Sequence, residues 1–315
     1  MLPFITTLRC ATRTIPAVAL PISKPRSIRI VVNRQQLYNS LYRYTSSRTM
    51  SSAVAKRLSG KTILITGASS GIGRATALEF VKTAPDVRLI LTARRQEQLE
   101  ELKSEIGAVS GAAEVLVRKL DVSDPADIKK FWAELPKEEW KDRLDVLVNN
   151  AGLVKGLEHV GDIAEEDVNI MYNTNVTGLI NMTQAVIPLF KARDAGTVIN
   201  IGSIAGREPY PGGSIYCSTK AAVRAFTEAL RKELVSTRIR VAVIDPGQVE
   251  TEFSVVRFRG DKSKADAVYA GVEPLTGEDI AEIVVFVAGR RENVVIADTL
   301  VFPSHQGGAS SMHRK

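Results

Sequence analysis

The chain has 315 residues, with 42 Lys and Arg against 35 Asp and Glu, a formal net charge of +7 and 44% hydrophobic residues. That length suits one α/β domain of roughly 250 residues plus an added segment. Residues 1–50 hold eight basic side chains (Arg9, Arg13, Lys24, Arg26, Arg29, Arg34, Arg43, Arg48) and no acid, so residues 51–315 carry 7 − 8 = −1 and give no ground for a nucleic-acid partner.

Residues 1–49 are rich in Arg, Ser and Thr, and Leu37 and Leu41 share one helical face. The segment reads as a disordered basic extension of the transit-peptide type, which sets the expectation of a mitochondrial matrix protein. Met50 offers a second start, whose product would be cytoplasmic. Residues 50–59 read as a linker and residues 60–315 as the folded domain. No apolar run reaches membrane-spanning length, so no membrane partner is expected. Cys10 lies in the extension, which leaves Cys217 alone in the body and no intrachain disulfide. His159, His305 and His313 are scattered without ligand spacing, so neither a metal site nor a histidine-based triad is expected.

The body opens on KTILITGASSGIG, Lys61 to Gly73. A β-branched apolar run, Thr62 to Ile65, meets a glycine turn and then a segment of helical spacing from Arg74. Strand-like segments follow at Val87–Leu91, Glu114–Leu120, Leu144–Val148, Thr197–Ile201 and Arg240–Ile244. Helices are expected between them: Gln96–Ile106, a helix capped by Ser123-Asp124-Pro125, a long one over Ala164–Phe190, and Ser218–Leu234. Val-, Ile- and Leu-rich strands alternating with helices imply an α/β fold, a doubly wound parallel sheet of the Rossmann type in a single domain. Ligands bind such sheets at the carboxyl ends of the strands.

Loop positions Gly67, Ser69, Gly71, Ile72 and Gly73 can bring backbone N–H groups to a pyrophosphate at the positive end of the next helix. A tight structural turn would also use glycines. At the end of the second strand, where an acid would take a ribose 2′-hydroxyl, stands Ala93, followed by Arg94 and Arg95. A guanidinium can grip a 2′-phosphate, so NADP is the expected cofactor. The plainer reading is that both arginines solvate a helix start. Asp121 can accept from an adenine amino group, and the small residues of Asn150-Ala-Gly152 let backbone lie against the adenosine.

Tyr216 and Lys220 lie four residues apart, hence on one helix face. A phenol of pKa about 10 needs a stabilised anion to work near neutrality, and an adjacent ammonium supplies it. Tyr216 then serves as general acid for carbonyl reduction and base for alcohol oxidation. Ser203 follows a strand end and can fix the reacting oxygen. Asn175 can hold a water that links Lys220 to solvent. A Y-x-x-x-K spacing alone arises by chance on many solvated faces; the four residues after a glycine loop are far more specific.

From about Leu58 to Phe302 the chain resembles the short-chain dehydrogenase/reductase family, in its TGxxxGxG loop, the NNAG segment Asn149–Gly152 and the Asn175-Ser203-Tyr216-Lys220 tetrad. The resemblance extends to the turn Asp245-Pro246-Gly247. It implies that Pro246, Gly247, backbone at Val249 and the Thr251 hydroxyl hold the nicotinamide carboxamide, with Tyr216 and Lys220 also on the cofactor. Asp245 departs from the family, where a small residue more often precedes the proline. TEFSVVRFRGD and PLTGEDIAE are similar to one branch, NADP-dependent dehydrogenases of serine, allo-threonine and related 3-hydroxy acids, typically tetrameric. For such a small-molecule substrate, Ser203 and Arg207 are the expected contacts, with Arg257 and Arg259 next as carboxylate readers; Lys155 adds a further cation. Surface charge is the competing reading of all these cations. Apolar residues on more than one face of the tetrad helices (Ile180, Val186, Leu189, Val223, Phe226, Leu230) point to a homodimer or homotetramer. A reductase of ketoacyl, steroid or dicarbonyl compounds is the nearer alternative, and a non-catalytic NADP-binding module the farther one.

Overall fold

A computed structural model describes residues 53–315. Its strands are β1 (Thr62–Thr66), β2 (Arg88–Ala93), β3 (Glu114–Lys119), β4 (Leu144–Asn149), β5 (Gly196–Ile201), β6 (Ile239–Pro246) and β7 (Asp298–Val301). All pair in parallel, in the order β3-β2-β1-β4-β5-β6-β7. After a helical segment over residues 53–58, the α-helices in chain order are α1 (Gly71–Thr83), α2 (Gln96–Val109), α3 (Pro125–Glu134), α4 (Glu165–Tyr172), α5 (Leu179–Arg193), α6 (Ser214–Glu233), α7 (Phe253–Arg257), α8 (Lys262–Tyr269) and α9 (Gly277–Ala288). The chain runs outward from β1 through β2 to β3, then crosses to β4 on the other side of β1. This reversal opens a crevice at the carboxyl ends of the strands.

Every residue of β1 is buried, yet its alternation survives inside the apolar run. Ile63 and Ile65 join the cluster under α1, α2 and α9, with Phe80, Leu99, Ile106 and Val284. Leu64 points to the opposite cluster under α3, α5 and α6, with Phe131, Met182, Val186 and Leu230. Each such side chain stabilises the fold by about 1.5–3 kcal/mol through burial. Asp124 caps α3 by accepting from the Ala126 N–H at 2.8 Å, and Pro125 stands in the first turn. Among the described residues no helix is long and apolar enough to cross a membrane.

Four expectations are corrected. The long helix over Ala164–Phe190 is interrupted: α4 passes through a π-helical turn, Asn173–Gly178, into α5, which ends at Arg193. A Cβ at Gly178 would overlap the Val122 carbonyl, so the helix crosses the end of the β3 connection at backbone contact, where the widened turn sits. Helix α6 starts at Ser214, four residues earlier than expected, and carries Tyr216 in its first turn. Strand β7 was not expected; its half-exposed DTLV shows no apolar run, and pairing with β6 alone makes it a strand. Residues 53–58 are helical rather than linker. Leu58 is 1% exposed in the core, and Arg57 Nε donates to the Gly289 carbonyl at 2.6 Å. The basic extension over residues 1–49, with its transit-peptide reading, lies outside the described residues.

Candidate active site

A cavity of about 610 Å³ opens at the carboxyl ends of β1, β2, β4, β5 and β6. Its first wall is the turn between β1 and α1. Asn150 Nδ2 donates to the carbonyls of Thr66 (2.9 Å) and Gly67 (3.0 Å), while Thr66 Oγ1 accepts from the N–H groups of Asn150 and Ala151, each at 3.1 Å. These cross-ties press the glycine loop onto the end of β4. A Cβ on Gly67 would lie 2.8 Å from Ala151 Cα, and one on Gly73 would overlap Asn150 Nδ2 and the Gly67 carbonyl. Gly73 therefore packs the loop and lies outside the cavity lining, correcting its expected contact with cofactor. Gly67, Ser69, Gly71 and Ile72 do line it.

The residues present fit a dinucleotide. Helix α1 has no side-chain cap and no acid in its first turn, so its leading N–H groups face the cavity uncompensated. Thr174 Oγ1 and Gln248 Oε1 are buried without a hydrogen-bond partner, and both residues line the cavity. Arg94 and Arg95 lie at its outer end, with Asp121. Arg95 donates to Ser69 and Ser70 and pairs with Glu252 at 2.9 Å, which joins the loop to the segment after β6. Asp121 Oδ1 accepts from the Ser123 N–H at 2.9 Å, fixing the carboxylate toward the crevice rim. Asn150, Gly152, Pro246, Gly247, Val249 and Thr251 complete this side.

The other end holds Ser203, Tyr216 and Lys220. Tyr216 is 8% exposed, packed edge-on against Phe253 with ring centroids 5.6 Å apart. Burial pushes its phenol well above the ordinary range, and the Ser203 hydroxyl and Arg257 guanidinium act in the opposite direction. Lys220 Nζ donates to the Ile201 carbonyl at 2.9 Å and sits 5.8 Å from the Tyr216 ring centroid. Burial pushes the ammonium down to about 8, against the charge of Asp245, which raises it. Ser203 Oγ accepts from the Ala205 N–H at 3.1 Å, an arrangement that leaves its own hydrogen for a ligand.

Asn175 stands differently from expectation. Its side chain accepts from the Leu153 N–H (2.8 Å) and donates to the Leu153 carbonyl (2.8 Å) and Thr219 Oγ1 (3.1 Å). With both amide hydrogens engaged, it does not line the cavity, and its side chain pins the segment after β4 beside Lys220.

The arginines separate clearly. Arg207, the expected carboxylate reader, is corrected: it does not line the cavity, and its guanidinium is bound to Asp245 (Nε at 2.8 Å) and Asp298. Arg259 is paired with Asp167 and Glu158, and neither it nor Lys155 lines the cavity. Arg257 does line it, half-buried, with no carboxylate partner among the described residues. Its contacts are the carbonyls of Gly156 and Gly212, each at 3.3 Å, and the Tyr210 hydroxyl at 3.4 Å. Tyr210, Phe253, Gln306 and Met312, also in the lining, carried no sequence signal of their own. The chain's final segment reaches the cavity because Gln306 Oε1 accepts from the Gln248 N–H at 2.8 Å.

A close-packed glycine loop, a crevice at the sheet reversal and a buried Tyr–Lys pair define a nucleotide-dependent oxidoreductase. The short chain dehydrogenase family profile matches residues 61–261, and the chain belongs to that family. An NADP-dependent 3-hydroxy acid dehydrogenase of Schizosaccharomyces pombe is 58% identical over 82% of this chain and 98% of its own length. A serine 3-dehydrogenase of Agrobacterium fabrum is 41% identical over 79% of this chain and 96% of its own. Among solved structures, a closed form of serine dehydrogenase complexed with NADP+ superimposes with a TM-score of 0.74 at 42% identity, covering 81% of this chain and all of that one.

Proposed function

We propose that the protein transfers a hydride between NADP and a short 3-hydroxy acid such as serine or allo-threonine. The observation that carries this is one cavity holding both a buried Tyr–Lys–Ser centre and the guanidinium of Arg257, which has no carboxylate partner among the described residues. NADP supplies the hydride acceptor for oxidation and the donor for reduction, bound by the α1 N-terminus and Gly71, with Arg94 and Arg95 on its 2′-phosphate. Lys220 holds positive charge beside Tyr216, and Ser203 donates its hydrogen to the substrate oxygen. Tyr216 gives its phenolic proton to that oxygen in reduction and removes the proton in oxidation. Arg257 takes the substrate carboxylate, which sets the 3-carbon beside Tyr216 and excludes water from a small ligand's side of the cavity.

The same reading covers assembly and location. A homodimer or homotetramer is supported by the half-buried Ile180, Leu189 and Phe226 on the tetrad helices. The acid-free basic segment supports the mitochondrial matrix for the product started at Met1, and the cytoplasm for one started at Met50. The deciding experiment is initial rates on serine, allo-threonine, 3-hydroxybutyrate and a hydroxysteroid with both cofactors. The reading expects the 3-hydroxy acids to dominate with NADP at least tenfold over NAD. Preference for the steroid, or equal use of the cofactors, contradicts it.

A further inference from the structure

Asp245 precedes the proline of the turn after β6, where the family resemblance leads one to expect a small residue, and its side chain is fully buried. A buried carboxylate is costly unless paired and hydrogen-bonded. Asp245 Oδ1 accepts from the Ser203 N–H at 3.0 Å, and Oδ2 takes Arg207 Nε at 2.8 Å and Arg224. Asp298, on β7, binds the outer sides of the same two arginines, with Arg224 Nη2 at 3.1 Å. Two acids and two bases thus close a neutral cluster beneath the active site. The fold makes room for it: a Cβ on Gly202 would overlap Asp245 Oδ1. On α6, Tyr216, Lys220 and Arg224 follow at intervals of four, so the cluster continues the face that carries the Tyr–Lys pair.

We propose that Asp245 is a positioning residue for the reaction: it fixes Ser203 through the backbone N–H, and its negative charge favours the Lys220 ammonium. Arg207 and Arg224 set how much of that charge Lys220 feels. Around Lys220 stand the Ile201 carbonyl from β5, Tyr216 and Arg224 one turn to either side on its own helix, and Asn175 across Gly152; Asp245 from β6 holds the N–H of Ser203, two residues beyond that carbonyl. Asp245 is the negative charge in this set, and it opposes the burial that drives the ammonium toward neutrality. The inference rests on the roles given above to Ser203, Tyr216 and Lys220.

The test is the pH profile of kcat/KM for NADPH-linked reduction, which reports the free enzyme's ionisations. On this proposal its alkaline limb is the loss of the Lys220 proton, because burial drives that ammonium down and the Tyr216 phenol up. Asp245→Asn preserves the shape and the Ser203 acceptor but removes the charge, so the limb moves to lower pH by about one unit. Arg224→Gln leaves the carboxylate and removes a cation that neutralises it, so the limb moves to higher pH. Asp298→Asn disturbs the same arginines from their outer side without touching Ser203, so its limb moves to lower pH by clearly less than that of Asp245→Asn. A purely structural role for Asp245 would lower rates in all three variants without opposite shifts. An unmoved limb in folded Asp245→Asn, or a shift of equal size in Asp298→Asn, overturns the proposal. Should Asp245→Asn not fold, Arg224→Gln decides: a limb that stays or falls overturns it. Wild-type turnover with NADPH is the internal check, because its absence would refute the proposed function and not this inference alone.

Discussion

The cavity's two ends are shaped by different forces. Next to β1, main-chain packing dominates: Gly67 and Gly73 have no room for a Cβ, and Asn150 ties their loop to β4. Next to β6, charge dominates. Arg207, Arg224, Asp245 and Asp298 neutralise one another, whereas Arg257, in the cavity lining, meets carbonyls and a phenol and no carboxylate among the described residues. A guanidinium saturated by carboxylates has no capacity for a substrate acid; one that rests on neutral acceptors keeps its charge available. Proximity in sequence to Ser203 is therefore a poor guide to which arginine faces the ligand.

The largest expected effect comes from removing the group on which both ends converge. Tyr216→Phe keeps the ring against Phe253 and should lower kcat by about 10³-fold, with NADPH affinity by fluorescence titration little changed. Appreciable turnover in that variant would move the proton to another group. The packing end is tested by Gly73→Ala, whose Cβ forces the loop off Asn150; urea unfolding should show a loss of about 1–3 kcal/mol. Its control is Gly107→Ala in α2, where nothing lies within 4 Å of the new carbon and helix propensity predicts a gain of roughly 0.5–1 kcal/mol. Similar behaviour of the two variants would mean that Gly73 is a matter of turn preference rather than contact.

The charged end is tested by pH. Lys220 is pushed down to about 8 in the fold from an ordinary 10.5. Between those values the unfolded chain binds more protons, so this group makes stability rise with pH. From pH 8 to 10 the gain is about 2 kcal/mol. Wild-type protein should gain that increment in urea unfolding relative to Lys220→Met, and parallel curves would show that the ammonium is not desolvated.

Much of the packing end was legible in the sequence because its constraints are local. The spacing of Gly67, Gly71 and Gly73 after an apolar run, and of Tyr216 and Lys220 on one helix, are short-range patterns that follow from backbone geometry. Strands β1 to β6 announce themselves by runs of Val, Ile and Leu, buried throughout in β1 and β2 and at Val117 in β3. Strand β7 does not, because Asp298–Val301 becomes a strand only through β6. The same reason hides the arginines' roles: the partners of Arg207 lie 38 and 91 residues away, and those of Arg257 lie 45 to 101 away. The single irregular letter in the turn, Asp245, was visible in the sequence, but its meaning required both arginines. The amide of Asn175 was placed on the right helix, yet its engagement with Leu153 depends on the π-helical turn that periodicity could not show.

The most direct test of a carboxylate-reading dehydrogenase compares Arg257→Met with Arg207→Met on serine or 3-hydroxybutyrate and on an uncharged alcohol of similar size. Losing a charged hydrogen-bond partner should raise KM for the acids at least ~10-fold in Arg257→Met while leaving the neutral alcohol nearly unchanged. Arg207→Met should affect acid and alcohol alike. Equal losses on both substrates in Arg257→Met would contradict the account, since they would make Arg257 a support for the Gly156 and Gly212 loops and leave the substrate acid without its reader.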